Sequence, residues 1–263
     1  MGNPIPVTDI HASVRAFYAE RAMNSDRCCS PGADSATGCG AQNANPFHAV
    51  ELLDGIPEDV AAFTLGCGDA VSLAQLRPGE TVIDLGSGGG LECFIASKQV
   101  GAAGRVIGVD MTPEMLSKAW ANAARLKTTN VDFRYGLLEA LPVANEVADV
   151  IISNCVINLS PDKPQVFREM FRALKPGGRI AVSDVVAGGE LSDEVKRDMA
   201  LWGACYSGAL DMHLYARQLR EAGFVDVKIE PKGGVADGLP ALQGKLFSAT
   251  ITAVKPSVPA RDR

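Results

Sequence analysis

The stretch that most constrains this chain runs Val82-Ile-Asp-Leu-Gly-Ser-Gly-Gly-Gly90. Val82 and Ile83 read as the end of a buried strand, and the glycines from Gly86 onward as the turn into a helix with Leu91, Phe94 and Ile95 on its apolar side. Glycine is needed where the backbone takes φ values closed to other residues, or where a ligand comes close. A strand, a glycine turn and a helix in that order put a nucleotide-type ligand site beyond the carboxyl end of the first strand of an open α/β sheet. The flanking pattern supports such a sheet. Strand-like runs at 81–85, 105–110, 131–135, 148–153 and 179–184 alternate with helical stretches, and 148–153 is nearly continuously apolar, as burial on both faces demands. Thr112-Pro-Glu114 and Ser160-Pro-Asp162 are helix starts; Met115, Ala119, Ala123 and Leu126 give the first of those helices a buried stripe. Lys175-Pro-Gly-Gly178 reads as the turn into the fifth strand. Repeated βαβ units of this length predict an α/β fold with a doubly wound, mostly parallel sheet.

Both ends elaborate this core. Residues 7–22 read as a helix with Ile10, Val14 and Phe17 on one face. Residues 23–46 turn to Asn, Ser, Gly, Ala and Cys and read as a loop, which holds Cys28, Cys29 and Cys39. Short helices are expected at 49–53 and 57–65, then a flexible junction, Leu65-Gly-Cys-Gly-Asp69. After the core come helices near 193–202 and 213–221 and strands near 225–229 and 246–253. The expected organisation is an N-terminal helix, cysteine loop and cap over 1–75, a ligand-binding core over 76–190, and a C-terminal extension over 191–263 that completes the sheet.

What the glycine turn lacks narrows its ligand. A dinucleotide fingerprint places a third glycine where this chain has Leu91, and no Walker lysine follows the loop. Asp84 sets a carboxylate where a pyrophosphate would be repelled and a cationic amino group welcomed. Asp110, ending the second strand, is placed to accept hydrogen bonds from ribose hydroxyls. A ligand with an adenosine end and a positively charged amino-acid end satisfies both acids. S-Adenosylmethionine fits that description.

Composition removes other classes. A formal net charge of −6 without a Lys/Arg cluster argues against a nucleic-acid backbone as partner. No apolar run is long enough to span a bilayer, and the opening Met-Gly-Asn-Pro-Ile-Pro lacks the basic and apolar regions of a secretion signal. The expectation is a cytoplasmic protein acting on a small molecule. Seven cysteines, at 28, 29, 39, 67, 93, 155 and 205, then point to metal or metalloid binding or redox chemistry rather than a disulfide frame.

Asp84-Leu-Gly-Ser-Gly, Gly108-Val-Asp-Met-Thr112, Leu138-Glu139 and Lys175-Pro-Gly-Gly178 resemble the signposts of class I S-adenosylmethionine-dependent methyltransferases. A more specific set is Leu65-Gly-Cys-Gly68, Ser153-Asn-Cys-Val-Ile-Asn-Leu-Ser160 and Trp202-Gly-Ala-Cys-Tyr-Ser-Gly-Ala209. That combination resembles the arsenite methyltransferase family over roughly residues 39–227. The resemblance implies the Rossmann-like methyltransferase fold, methyl transfer to arsenite in arsenic detoxification, and S-adenosylmethionine as cofactor. It also implies a cofactor site of Asp84, Gly86, Ser87, Gly88, Asp110, Met111, Leu138, Glu139 and Asn154, with Met111 and Leu138 packing on adenine. Cysteines matching Cys67, Cys155 and Cys205 would handle the arsenic, with a fourth from the N-terminal loop. That fourth is open between Cys39 and the Cys28-Cys29 pair; Cys39 matches better because it precedes the lead-in from Pro46 to Gly68. Glu92 stands before Cys93 where the family usually has aspartate.

The chemistry suits those residues. Trivalent arsenic is soft, so thiolates are its natural ligands, and two or three of them leave its lone pair free to attack the methyl group. Family behaviour adds that methylated arsenic is pentavalent, that protein thiols reduce it, and that thioredoxin or glutathione renews the thiols. Cys93 on its apolar helix reads as a small hydrophobe, and His11, His48 and His213 as structural. The alternatives are a methylase of an organic small molecule, quinone- or sterol-like, and a non-catalytic metalloid-binding protein.

Overall fold

The computed structural model describes residues 7–23, 47–63, 66, 68–236, 239 and 242–257. Cys28, Cys29, Cys39 and Cys67 lie outside the described residues. Among the described residues seven strands form one sheet: β1 (Thr81–Leu85), β2 (Arg105–Asp110), β3 (Val131–Tyr135), β4 (Ala148–Asn154), β5 (Leu174–Ala187), β6 (Val225–Gly234) and β7 (Leu246–Val254). Their order is β3-β2-β1-β4-β5-β7-β6, parallel except for β7, which runs antiparallel to β5 and β6.

Side-chain alternation divides each central strand between two helical layers. Ile83, Leu85, Ile107, Val109, Ile151, Ile180 and Val182 face one layer, where α6 (Lys163–Ala173) and α9 (Met212–Glu221) pack through Phe167, Met170, Tyr215 and Leu219. Val82, Val106, Val150, Ile152 and Ala181 face the other, built on α3 (Ala70–Ala74), α4 (Leu91–Val100) and α5 (Pro113–Leu126). Helix α5 begins at Pro113 as expected and buries Met115 and Ala119, with Ala123 and Leu126 only half-buried. Helix α1 (Val7–Met23) buries Ile10 and Val14 in a third cluster with Cys155, Trp202 and Cys205.

Four local expectations differ from the observed structure. Lys175-Pro-Gly-Gly178 belongs to β5 rather than forming a turn before it. Gly177 N–H donates to the Lys255 carbonyl (2.9 Å), Lys255 N–H donates back to Gly178 (2.8 Å), and Lys175 Nζ pairs with Asp149 (2.8 Å), so the ladder starts early. The helix expected over 193–202 is two helices, α7 (Asp193–Arg197) and α8 (Met199–Gly203), because Asp198 turns out of helical conformation and caps Ala200 and Leu201 N–H. The junction before the core ends in structure: Asp69 caps α3 by accepting from Ser72 N–H (2.8 Å). Of the two short helices before it, the first is a 3-10 turn, Val50–Leu53, and the second is α2 (Glu58–Ala62), with Pro57 as its N-cap.

No helix among the described residues is long and apolar enough to cross a membrane. Phe167 is fully buried and packs on Tyr215 with ring centroids 5.0 Å apart. Phe167→Ala is expected to lower unfolding free energy by about 3–5 kcal/mol, read as a lower denaturant midpoint at unchanged slope.

Candidate functional site

The carboxyl ends of β1, β2 and β4 open onto one cavity. Asp84, Gly86, Ser87, Gly88, Asp110, Met111, Leu138, Glu139 and Asn154 all line it, as does Cys155. The glycine turn is shaped by conformation and by space. Gly86 has φ 72°, in the left-handed region, and a Cβ there would stand 2.6 Å from the Val156 side chain. Gly86 and Ser87 N–H donate to the Val109 carbonyl (2.8 and 3.1 Å). The Asp110 carboxylate accepts from Gly88 N–H (2.9 Å) and Thr112 N–H (2.8 Å), tying the turn to the end of β2 while its side chain stays at the cavity.

The cavity wall is acidic. Asp84, Glu92, Asp110 and Glu139 line it; among its described lining residues His11 is the one basic side chain, and none is lysine or arginine. Burial pushes the Asp84 carboxyl up to about 7, opposed by the Cys93 thiol, which donates to Asp84 Oδ2 at 3.1 Å. Burial, then the Asp84 charge, pushes Glu92 up to about 8, opposed by Asn154 Nδ2, which donates to Glu92 Oε1 at 2.7 Å. Burial likewise raises Asp110, partly offset by the N–H groups it accepts. Such a wall repels polyphosphate and suits a ligand that brings positive charge, as the ammonium and sulfonium of S-adenosylmethionine do.

Sulfur lies at the next step along β4. Cys155 (φ 57°) and Cys205 (φ 65°) both hold left-handed backbone conformations, which cost an L-residue roughly 1–2 kcal/mol. The two touch: the Cys205 thiol donates to the Cys155 carbonyl at 2.7 Å. Buried Asn158 fixes this arrangement, its Nδ2 lying 2.8 Å from Asp184 Oδ1, 2.7 Å from the Val185 carbonyl and 3.3 Å from the Cys205 carbonyl. Gly208 closes the turn after Cys205 against the same residue; a Cβ there would be 1.9 Å from the Asn158 carbonyl oxygen. Cys155 is disulfide-bonded, its partner lying outside the described residues, whereas Cys205 is a buried free thiol. Among the described residues no group of three or more His, Cys, Asp or Glu could hold a metal ion.

Two parts of the site were not anticipated from sequence. Helix α1 contributes His11, Val14 and Tyr18 to the cavity. Their i, i+3, i+7 spacing puts them on one helix face, a signal that the structural reading of His11 passed over. His11 Nε2 lies 3.1 Å from Glu139 Oε1, which also accepts from the Ser160 hydroxyl. Tyr18 donates to the Gly203 carbonyl (3.3 Å) and lies against Cys205. Glu92, noticed only as a departure from a pattern, lies in the cavity wall beside His48. The His48 side chain is fully enclosed, 3.2 Å from Asp69 Oδ1 and 3.6 Å from Glu92 Oε1. His213 is exposed.

Burial raises the thiol pKa of both Cys93 and Cys205, with neighbouring carboxylates adding to the shift. A raised pKa leaves the unreactive thiol form at neutral pH. Iodoacetamide at pH 7.5 is therefore expected to leave both unmodified in the native protein and to alkylate both in urea, as peptide mass spectrometry would show.

A family profile described as a methyltransferase domain matches residues 76–223. The chain is 42% identical over 258 residues to an arsenite methyltransferase of Halobacterium salinarum, covering 93% of this chain and 66% of that protein. It is 38% identical over 247 residues to an arsenite methyltransferase of Aquipseudomonas alcaligenes, covering 91% of this chain and 69% of that protein. The crystal structure of an arsenic(III) S-adenosylmethionine methyltransferase from Chlamydomonas reinhardtii superposes with a TM-score of 0.70 at 35% identity, covering 83% of this chain and 76% of that one. The chain thus spans about two thirds of the length of the two microbial relatives. On sequence and on fold, it belongs to the arsenite methyltransferase family of methyltransferase-domain proteins.

Proposed function

We propose that this chain transfers methyl groups from S-adenosylmethionine to thiol-bound trivalent arsenic, giving methylated arsenicals. The observation that carries the reading is the contact of two left-handed cysteines, Cys155 and Cys205, at the rim of a cavity whose described lining residues are acidic and include no lysine or arginine. When bound, S-adenosylmethionine supplies an activated methyl group on a sulfonium centre. Asp84 and Glu92 would receive its ammonium, Asp110 would accept from its ribose hydroxyls, and Met111 and Leu138 would pack on its adenine. The turn of Gly86, Ser87 and Gly88 gives it room, with Glu139 and Asn154 completing the wall.

Cys155 and Cys205, with Cys67 and Cys39, hold the arsenic. The arsenic lone pair would form the new As–C bond as the S–C bond breaks and its electron pair leaves with sulfur, so the attack would need no general base. The residues act chiefly by holding lone pair, methyl carbon and leaving sulfur in line. Methylation oxidises arsenic by two electrons. A pair of thiols returns them and becomes a disulfide, which a thioredoxin- or glutathione-type reductant reopens. The disulfide at Cys155 supports this cycle, since that sulfur becomes a ligand only once reduced. A reducing cytoplasm suits such thiols.

Purified protein given arsenite, S-adenosylmethionine and a thiol reductant is expected to yield methylated arsenic, resolved by chromatography, only when protein and cofactor are both present. Cys155→Ser and Cys205→Ser are each expected to lower turnover by about 100-fold or more, the scale of loss when a reacting atom is no longer aligned, with cofactor affinity unchanged. Full turnover in both variants overturns the assignment. Unmodified arsenite alongside intact cofactor binding favours an organic acceptor instead.

A further inference from the structure

The cavity wall between β1 and α4 holds more acid than counter-charge. Asp84 is 2% exposed and the Glu92 side chain 11%, and both line the cavity. Their carboxylates accept from uncharged donors, Asp84 from the Cys93 thiol and Glu92 from the Asn154 amide, which also donates to the Gly68 carbonyl (2.7 Å). Other charged groups around them come from every packed element. Asp110 ends β2, Glu139 follows β3, His11 and Tyr18 project from α1, and Asp69 caps α3. His48 stands between Asp69 and Glu92, and His11 is engaged by Glu139. Asp84, served by a thiol, and Glu92, served by an amide with His48 Nε2 at 3.6 Å, do not both stay ionised unless a further cation joins them.

We propose that Asp84 and Glu92 share one proton in the ligand-free protein and exchange it for the ammonium of the cofactor, so that Glu92 selects ligands carrying an amino-acid end. The inference rests on the cavity being the S-adenosylmethionine site. The exchange is a proton transfer alone: the acid gives its proton to the buffer, the pair becomes fully ionised, and the ligand ammonium balances the charge. Burial sets both acids high enough, about 7 and about 8, to hold the proton at neutral pH. A cation beside them lowers those values, so binding expels the proton. Affinity for the ammonium-bearing ligand then tightens as pH rises toward the higher value and levels off above it.

The test is isothermal titration calorimetry on the full chain, in buffers of differing protonation enthalpy. S-Adenosylhomocysteine serves as the probe, and 5′-methylthioadenosine as the analogue without the amino-acid end. Near pH 7, S-adenosylhomocysteine is expected to release about one proton and to tighten by up to about tenfold per pH unit, as linkage of one proton requires. Methylthioadenosine, which still meets Asp110, Glu139 and His11, is expected to release none and to bind independently of pH. Glu92→Gln should reduce the release from S-adenosylhomocysteine to less than half and flatten its pH slope; Glu92→Asp should restore both. Asp84→Asn is expected to have the same effect and serves if Glu92→Gln fails to fold. Binding of S-adenosylhomocysteine to the native protein without proton release, or equal release in Glu92→Gln, overturns the proposal. If neither nucleoside binds, the cofactor reading itself falls and the proposal with it.

Discussion

The arrangement depends on the parallel pairing of β1 with β2 on one side and β4 on the other. Asp84 stands opposite Gly108 and Ile152, and Leu85 opposite Val109 and Ser153. This register brings the strand ends out on one edge, so that Asp84, Asp110 and Asn154 reach the same cavity. A slip of one residue would exchange the two faces of β1, turning Asp84 into a packed layer and Ile83 and Leu85 away from theirs. Gly108 fits the same constraint, since a Cβ there would press within 2.7 Å of Phe133 and 2.8 Å of Ser87.

The β4 strand then divides the site by chemistry. Asn154 turns its amide to Glu92 on the acidic side. One residue later the left-handed backbone of Cys155 redirects the chain toward Cys205. The oxygen-rich wall and the cysteine contact thus meet at a single peptide bond, between Asn154 and Cys155.

Much of this was legible from local pattern. The boundaries of β1 and β2 follow from apolar runs with clear ends, β3 from its alternation of Val131, Phe133 and Tyr135 with Asp132 and Arg134, and Asp84 and Asp110 declare themselves at or near the close of strands beside a glycine turn. What escaped depends on residues far apart in the chain. His11 and Glu139 meet across 128 positions, and nothing near either one announces the other. The early start of β5 needs Lys255, which lies beyond the last strand. The break between α7 and α8 had a nearer cause, Asp198, whose preference for capping defeats the helical period around it.

The left-handed backbone at Cys155 and Cys205 has a meaning for how such a chain varies. Glycine adopts these angles without steric cost, so replacing either cysteine with glycine relieves local strain while deleting the sulfur. At both positions the residue the backbone prefers is one that carries no sulfur. Selection for stability alone would favour that exchange here as at other strained backbone positions, and a stabilised descendant could keep its sheet and its acidic cavity without these two sulfurs.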